Sequence, residues 1–320
     1  MWIVPESAIT GLVDEQSAFD AIEATFAAMS RQDAYNFPVV REGLGAGRQY
    51  GFKSGLDRVG HLLGVKAGGY FPGNAERGIP NHQSTVYLFD PDSGKPTAMV
   101  GGNLLTALRT AAASSISIAH LARKDAKVLG MVGAGHQSAF QMRAAVRQRA
   151  FERVIGWNLH PEMLSRLAET AAELGLPFDA VSLEELGAQA DVIVTITSSF
   201  DAILHDAHIR PGTHLACMGT DTKGKQEVDA AILARASVFT DEVAQSISIG
   251  EAQHAVAAGL LEEGAIVEIG AVINGTHPGR ASAEEITVFD GTGVGLQDLA
   301  VASKAVELAV ERGLAQEIAF

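Results

Sequence analysis

The chain has a single cysteine, Cys217, in 320 residues. That excludes an intramolecular disulfide and any metal centre built on several thiolates, and no metal is expected. Cys217 lies in the apolar run His214-Leu215-Ala216-Cys217-Met218, so a small buried side chain is its expected role. Basic residues are scarce, 24 Lys and Arg against 38 Asp and Glu, for a formal net charge of −14. A nucleic-acid or anionic-membrane surface needs a basic face, so neither partner is expected, and the acidity reads as solubility. Met1-Trp2-Ile3-Val4-Pro5-Glu6 has no basic region followed by an apolar run, so no signal peptide is expected. No apolar stretch approaches the roughly 20 residues of a bilayer-spanning helix, which makes a cytoplasmic protein the expectation. Repeats and low-complexity tracts are missing as well.

What is present suits two domains and a substantial core. Residues 6–32 carry Ala18, Ile22, Phe26 and Met29 at helical spacing. Residues 34–100 change to short strand-like pieces separated by Gly, Pro and Asn, with a strong turn at Asp90-Pro91-Asp92-Ser93-Gly94-Lys95-Pro96. That pattern predicts an α+β, mostly antiparallel first part. A helix is predicted over 103–121. From Lys127 onward strands alternate with helices, which implies a parallel sheet with right-handed crossovers. A last helix, 296–314, has no predicted strand after it and is expected to return to the first part.

Lys127-Val128-Leu129-Gly130-Met131-Val132 runs into Gly133-Ala134-Gly135-His136-Gln137-Ser138 and a helix-forming segment. This is the strand–turn–helix order of a dinucleotide site, in which glycines let the backbone approach a pyrophosphate at a helix N-terminus. Ser138 stands where a third glycine is usual. Any glycine turn between a buried strand and a helix would look the same. The second strand ends in Trp157-Asn158-Leu159-His160, where Asn158 could bond a ribose hydroxyl or simply terminate the strand. No acid here repels a 2′-phosphate and no Arg attracts one, so NAD is favoured and NADP stays open. Thr195-Ile196-Thr197-Ser198-Ser199 ends a later strand, where small hydroxyls would let a ribose or nicotinamide ring lie close to the backbone.

Chemistry must come from residues outside this unit. Lys66 sits in Gly64-Val65-Lys66-Ala67-Gly68-Gly69, apolar company in which burial would lower its pKa and suit it to proton transfer. An ordinary snorkelling Lys has the same sequence context. Arg109 lies on a small-residue helix with no acid three or four residues away, so its partner is either a carboxylate ligand or an acid from elsewhere in the fold.

The ordered motifs Val65-Lys66 with Pro72-Gly73-Asn74, Leu105-Thr106-Ala107-Leu108-Arg109-Thr110-Ala111-Ala112, Gly133-Ala134-Gly135-His136-Gln137, Met218-Gly219-Thr220-Asp221, Lys225-Gln226-Glu227, Ser248-Ile249-Gly250-Glu251 and Thr292-Gly293-Val294-Gly295-Leu296-Gln297-Asp298 resemble the ornithine cyclodeaminase/μ-crystallin family over nearly the whole chain. The resemblance implies an α/β protein with a Rossmann dinucleotide-binding domain, 122–296, inserted in an α+β substrate-binding and dimerisation domain, 1–121 plus 297–320. It implies that Arg41, Lys66 and Arg109 hold an α-carboxylate, that Lys66 and Asp221 are catalytic, and that these residues meet between the domains. Asp221 would equally suit a turn or helix cap. Arg109, Thr110, His136, Gln137, Asn158, Met218, Thr220 and Thr292 would join Gly133, Gly135, Thr195, Thr197 and Ser198 at the cofactor.

One departure bears on the substrate. Where cyclodeaminases have an acid facing the amine of ornithine, this chain reads Gly51-Phe52-Lys53-Ser54-Gly55. If Lys53 faces the site rather than solvent, it attracts a second carboxylate, with His82, Gln83 and Ser84 as further polar groups. Taken with the resemblance, which implies the dimer, the nicotinamide cofactor and imine chemistry on iminosuccinate, the expectation is a homodimeric, NAD(P)H-dependent imine reductase acting on that short dicarboxylic imine to give L-aspartate. Cyclodeaminase, alanine dehydrogenase and cyclic ketimine reductase activities are the alternatives, as is a non-catalytic nucleotide- and ligand-binding protein.

Overall fold

The computed structural model describes residues 1–319. Their contacts divide into two units, Met1–Arg109 with the segment from Val294 onward, and Thr110–Gly293. The division expected at 121/122 falls instead inside the helix Asn103–Leu121, and the return falls at 293/294 rather than 296/297. A continuous helix gives no compositional signal at the point where its neighbours change.

In the first unit the strands are β1 (Trp2–Val4), β2 (Ala34–Asn36), β3 (Val40–Gly45), β4 (Arg48–Asp57), β5 (Leu62–Tyr70), β6 (His82–Phe89) and β7 (Pro96–Gly101). β4 through β7 form an antiparallel meander, β3 and β2 also pair with β4, and β1 runs parallel to β7. Contrary to expectation a short strand, Gln316–Glu317, follows the last helix and pairs antiparallel with β1. Asp14 caps the helix Glu15–Ser30 by accepting from the Ser17 N–H at 2.7 Å.

The last helix, Gly295–Glu311, packs on one face of the sheet through glycine notches. A side chain at Gly55 would strike Leu296, and one at Gly64 would strike Leu299. Leu296 N–H also donates to Asn36 Oδ1 at 3.0 Å. The opposite face leaves Tyr35, Val40, Phe52 and Tyr87 exposed.

The strands of the second unit are β8 (Val128–Val132), β9 (Arg153–Trp157), β10 (Phe178–Ala180), β11 (Val192–Thr195), β12 (His214–Cys217), β13 (Ser237–Thr240), β14 (Val267–Glu268) and β15 (Thr287–Asp290). They form one parallel sheet in the order β10-β9-β8-β11-β12-β15-β13-β14. Buried on both faces, the central strands β8 and β11 read as continuous apolar runs rather than alternating ones. The order reverses between β8 and β11, which makes their carboxyl ends a topological switch point. By length and composition the helix Asn103–Leu121 could cross a bilayer, against expectation, but it is a mostly buried core helix. Cys217 is buried, as expected.

Candidate active site

At the switch point β8 turns at Gly133, whose φ of +107° disfavours any side chain. A Cβ there would also lie 2.6 Å from the Ile196 carbonyl oxygen, so the glycine turn and the Thr195–Ser199 segment meet directly. Asn158 fixes the turn from the neighbouring strand: its Oδ1 accepts from Ala134 N–H at 3.0 Å and its Nδ2 donates to the His160 carbonyl at 2.9 Å. Both ends of its amide are thus engaged within the protein. Ser138 opens the helix Ser138–Val146 and donates to the Gly135 carbonyl at 2.8 Å.

The residues here fit a dinucleotide. The space beside Gly135 is open, and Gln137 holds a buried Oε1 with no hydrogen-bond partner among the described residues. His136 and Ser198 are exposed and Thr197 is half-buried. Thr110, Met218 and Thr292 are buried.

Thr195 and Thr220, both expected at the cofactor, lie beneath the surface of the second unit. Both are fully buried, and their hydroxyls are taken by two acids, Glu227 and Glu251. Glu227 accepts from Thr195 Oγ1 at 2.7 Å, Thr197 N–H at 2.6 Å and Gly219 N–H at 2.8 Å, which ties the ends of β11 and β12 together. Glu251 Oε1 accepts from the N–H groups of Glu227 and Val228 at 2.8 and 2.7 Å, while its Oε2 meets Thr220 Oγ1 at 2.5 Å. Burial raises the pKa of both. The Glu227 charge adds to burial in raising Glu251, while the Thr220 hydroxyl and the Val228 N–H oppose it.

Asp241 fixes the next segment, accepting from Thr292 Oγ1 at 2.6 Å and Gly293 N–H at 2.7 Å. Asp221 lies in this unit too, partly exposed and 2.9 Å from Lys225 Nζ. Glu227 and Glu251 had been visible only as letters within family motifs. Their role depends on which strand ends lie side by side.

In the first unit, register decides which side chains share a face. Arg41 pairs with Gly51, Lys53 with Lys66, Gly68 with Ser84 and Tyr70 with His82. With a period of two, Arg41, Lys53, Lys66, His82 and Ser84 all stand on one side of the sheet, the side carrying the last helix. Gln83 falls on the other parity; its amide donates to the Pro80 carbonyl at 2.8 Å. Gly51 and Gly68 lie between the charged residues without room for a side chain. Lys53, Lys66 and Arg109 are buried, and the Ser84 hydroxyl is buried with no hydrogen-bond partner among the described residues.

The acid that reaches these cations is Asp298, in the first turn of Gly295–Glu311. Lys66 Nζ is 2.7 Å from its Oδ2, and Arg109 Nε donates to its Oδ1 at 3.1 Å. Arg109 Nη1 also donates to Gln297 Oε1 at 3.2 Å. Of the two partners open to Arg109, an acid from elsewhere in the fold is therefore present. Burial, with Arg109 and Arg41 nearby, lowers the Lys66 pKa to about 8 even though Asp298 opposes the shift. The Lys66 and Arg109 charges hold the Asp298 carboxyl below its ordinary range despite its burial. Asp298 was not foreseen as a site residue. The motif Leu296-Gln297-Asp298 was legible, but the contact spans more than 180 residues of sequence.

The model of the ornithine cyclodeaminase/mu-crystallin family matches residues 15–313. The chain belongs to that family. Among family relatives, the iminosuccinate reductase of Paracoccus denitrificans is 65% identical over 319 residues, 99% of each chain. The alanine dehydrogenase of Archaeoglobus fulgidus is 32% identical, covering 99% of this chain and 98% of its own. The crystal structure of the Paracoccus iminosuccinate reductase in complex with NAD+ superposes with a TM-score of 0.97, at 64% identity and covering 100% of this chain and 99% of that one. An archaeal alanine dehydrogenase dimer with bound NAD gives 0.94 at 30% identity, with full coverage of both chains.

Proposed function

We propose that the protein is an NADH-dependent imine reductase that converts iminosuccinate to L-aspartate. The observation that carries this reading is the cationic face of Lys53, Lys66 and Arg109, all buried, with half-buried Arg41 beside them; it holds Asp298 as counter-charge and so suits a small dianion. The 65% identity to an iminosuccinate reductase over the full chain supports the same substrate. Residues for the cofactor are Gly133, Gly135, His136, Gln137, Thr197 and Ser198, together with the buried Met218 and Thr292; NAD is the preferred form because the end of β9 carries Asn158 and no Arg adjoins it.

Bound NADH supplies the hydride for C2 of the imine. Arg41 and Arg109 hold the α-carboxylate, and Lys53 with Ser84 and His82 receives the distal one, which fixes C2 in a reactive pose. Lys66, with a pKa of about 8, is mostly protonated at neutral pH and keeps the imine nitrogen protonated, making C2 the better hydride acceptor. Asp221 is the further candidate for relaying the proton. The apolar outer face of the first unit, with Tyr35, Val40, Phe52 and Tyr87 exposed, suits burial against a second copy, and a homodimer is part of this proposal.

A spectrophotometric assay of NADH and NADPH with oxaloacetate plus ammonia, alongside pyruvate plus ammonia and ornithine, tests it. Oxaloacetate with ammonia and NADH should be turned over fastest. Preference for pyruvate would favour an alanine dehydrogenase instead, and no oxidation with any keto acid would favour a binding protein.

A further inference from the structure

Four cations share the inner face of the first unit, and Asp298 touches two of them, Lys66 and Arg109. Lys66 is faced by Asp298 from the last helix, by Arg109 from the helix Asn103–Leu121, by Arg41 from β3 and by Lys53 from β4. Thr106 Oγ1 completes its surroundings at 3.5 Å from Nζ. Such a set is costly to bury without a negative partner, because unpaired charges lose their hydration.

Asp298 is placed to be that partner by several features at once. It lies in the first turn of its helix, where the backbone dipole favours a carboxylate. Its helix is seated by Leu296 and Leu299 in the notches at Gly55 and Gly64, so the carboxylate has little freedom to withdraw. Its two oxygens are divided, Oδ1 to Arg109 and Oδ2 to Lys66. Gln297 steadies the same guanidinium from the adjacent position, and neither of these contacts engages Arg109 Nη2.

We propose that Asp298 is a positioning residue of this site: its carboxylate bridges Lys66 and Arg109, fixes the distance between them, and keeps Lys66 protonated among the other cations. The inference rests on the imine-reductase reading for its kinetic part and on geometry alone for its titration part. Asp298 itself need not touch substrate. Without the bridge, Arg109 and Lys66 would repel one another, and Lys66 would shed its proton at lower pH.

The test uses the full chain with lysine side chains labelled with 13C, the Lys66 resonance being assigned by its loss in Lys66→Arg. In the wild type that resonance should titrate with a midpoint near 8. In Asp298→Asn the midpoint should fall by at least about one pH unit, which is the size expected for losing an adjacent opposite charge. An unchanged midpoint overturns the proposal. In parallel, kcat/KM for oxaloacetate plus ammonia should fall by about 100-fold, with its alkaline limb displaced by the same amount as the NMR midpoint.

Asp298→Glu keeps the charge but moves it by one methylene. It should retain a midpoint near that of the wild type while losing about 10-fold in kcat/KM; wild-type kinetics in this variant would remove the geometric half of the idea. Should Asp298→Asn fail to fold, the glutamate variant and the wild-type titration still decide. A wild-type enzyme inactive on imines but with the expected NMR shifts would sink the reductase reading and leave the bridge standing.

Discussion

Lys53 and Lys66 stand directly opposite each other on β4 and β5, on the same face of the sheet, and both are buried. Like charges at directly paired positions destabilise a sheet, and burial adds a desolvation cost. A fold keeps such a pair where an anion is to be held. Asp298 offsets part of the charge, and the cost of burying the rest is seen in the lowered Lys66 pKa. In the function proposed above a dicarboxylate supplies the remainder, which would separate the site from one built for a diamino acid.

Replacing Lys53 tests the distal contact. Lys53→Met should lower kcat/KM for oxaloacetate plus ammonia by about 10- to 100-fold, the worth of one charge-assisted hydrogen bond. Pyruvate plus ammonia, which has no second carboxylate, should change by only about 3-fold. Equal losses on both substrates would mean that Lys53 does not read the distal group.

Lys66→Met should reduce kcat by about 100-fold or more, while the NADH dissociation constant measured by fluorescence stays within about 2-fold. Near-normal turnover would rule out its role in proton supply. In the proposed role the protonated form of Lys66 is the active one for reduction. Because burial lowers this pKa to about 8, kcat/KM should be flat at neutral pH and decline as pH rises through that value.

Gly133→Ala should weaken NADH binding and cost about 1–3 kcal/mol of stability, since the residue has φ of +107° and its Cβ would meet the Ile196 carbonyl. Gly135→Ala, with open space around it, should cost less stability yet still impair cofactor affinity. Thermal unfolding and fluorescence titration separate the two effects. An unaltered Gly133→Ala protein would argue against the tight turn.

The buried acids of the second unit make stability depend on pH in an unusual sense. Burial raises Asp290 to about 7 and raises Glu251 as well. Between an ordinary carboxyl pKa and the raised value, the folded state holds a proton that the unfolded state has lost. Stability therefore falls as pH rises through this range, by up to a few kcal/mol. Asp290→Asn should flatten the loss of melting temperature between pH 5 and 8, and an identical slope in the variant would refute this assignment.

For the proposed dimer, Phe52→Glu places a charge on the apolar outer face of the first unit. Light scattering should then report a shift toward monomer with the fold retained by circular dichroism. An unshifted dimer would put the interface elsewhere.

The sequence by itself determined the kinds of element and their order. Helical spacing, the glycine turn after β8 and the strand–helix alternation are local properties, set by steric rules over a few residues. For Lys66 and Arg109 the apolar surroundings made them candidates, while a snorkelling Lys and an Arg paired within the fold stayed open. Only the tertiary structure decided which charges meet. The pairing of Lys53 with Lys66 is a matter of register, and the contact of Asp298 with Lys66 and Arg109 depends on a helix seated by Leu296 and Leu299 far along the chain. Likewise the burial of Thr195 and Thr220 against Glu227 and Glu251 follows from the neighbourhood of strand ends. A sequence pattern records what each residue offers over short range; charge pairing acts through space, so its partners become known only once the sheet and its helices are closed.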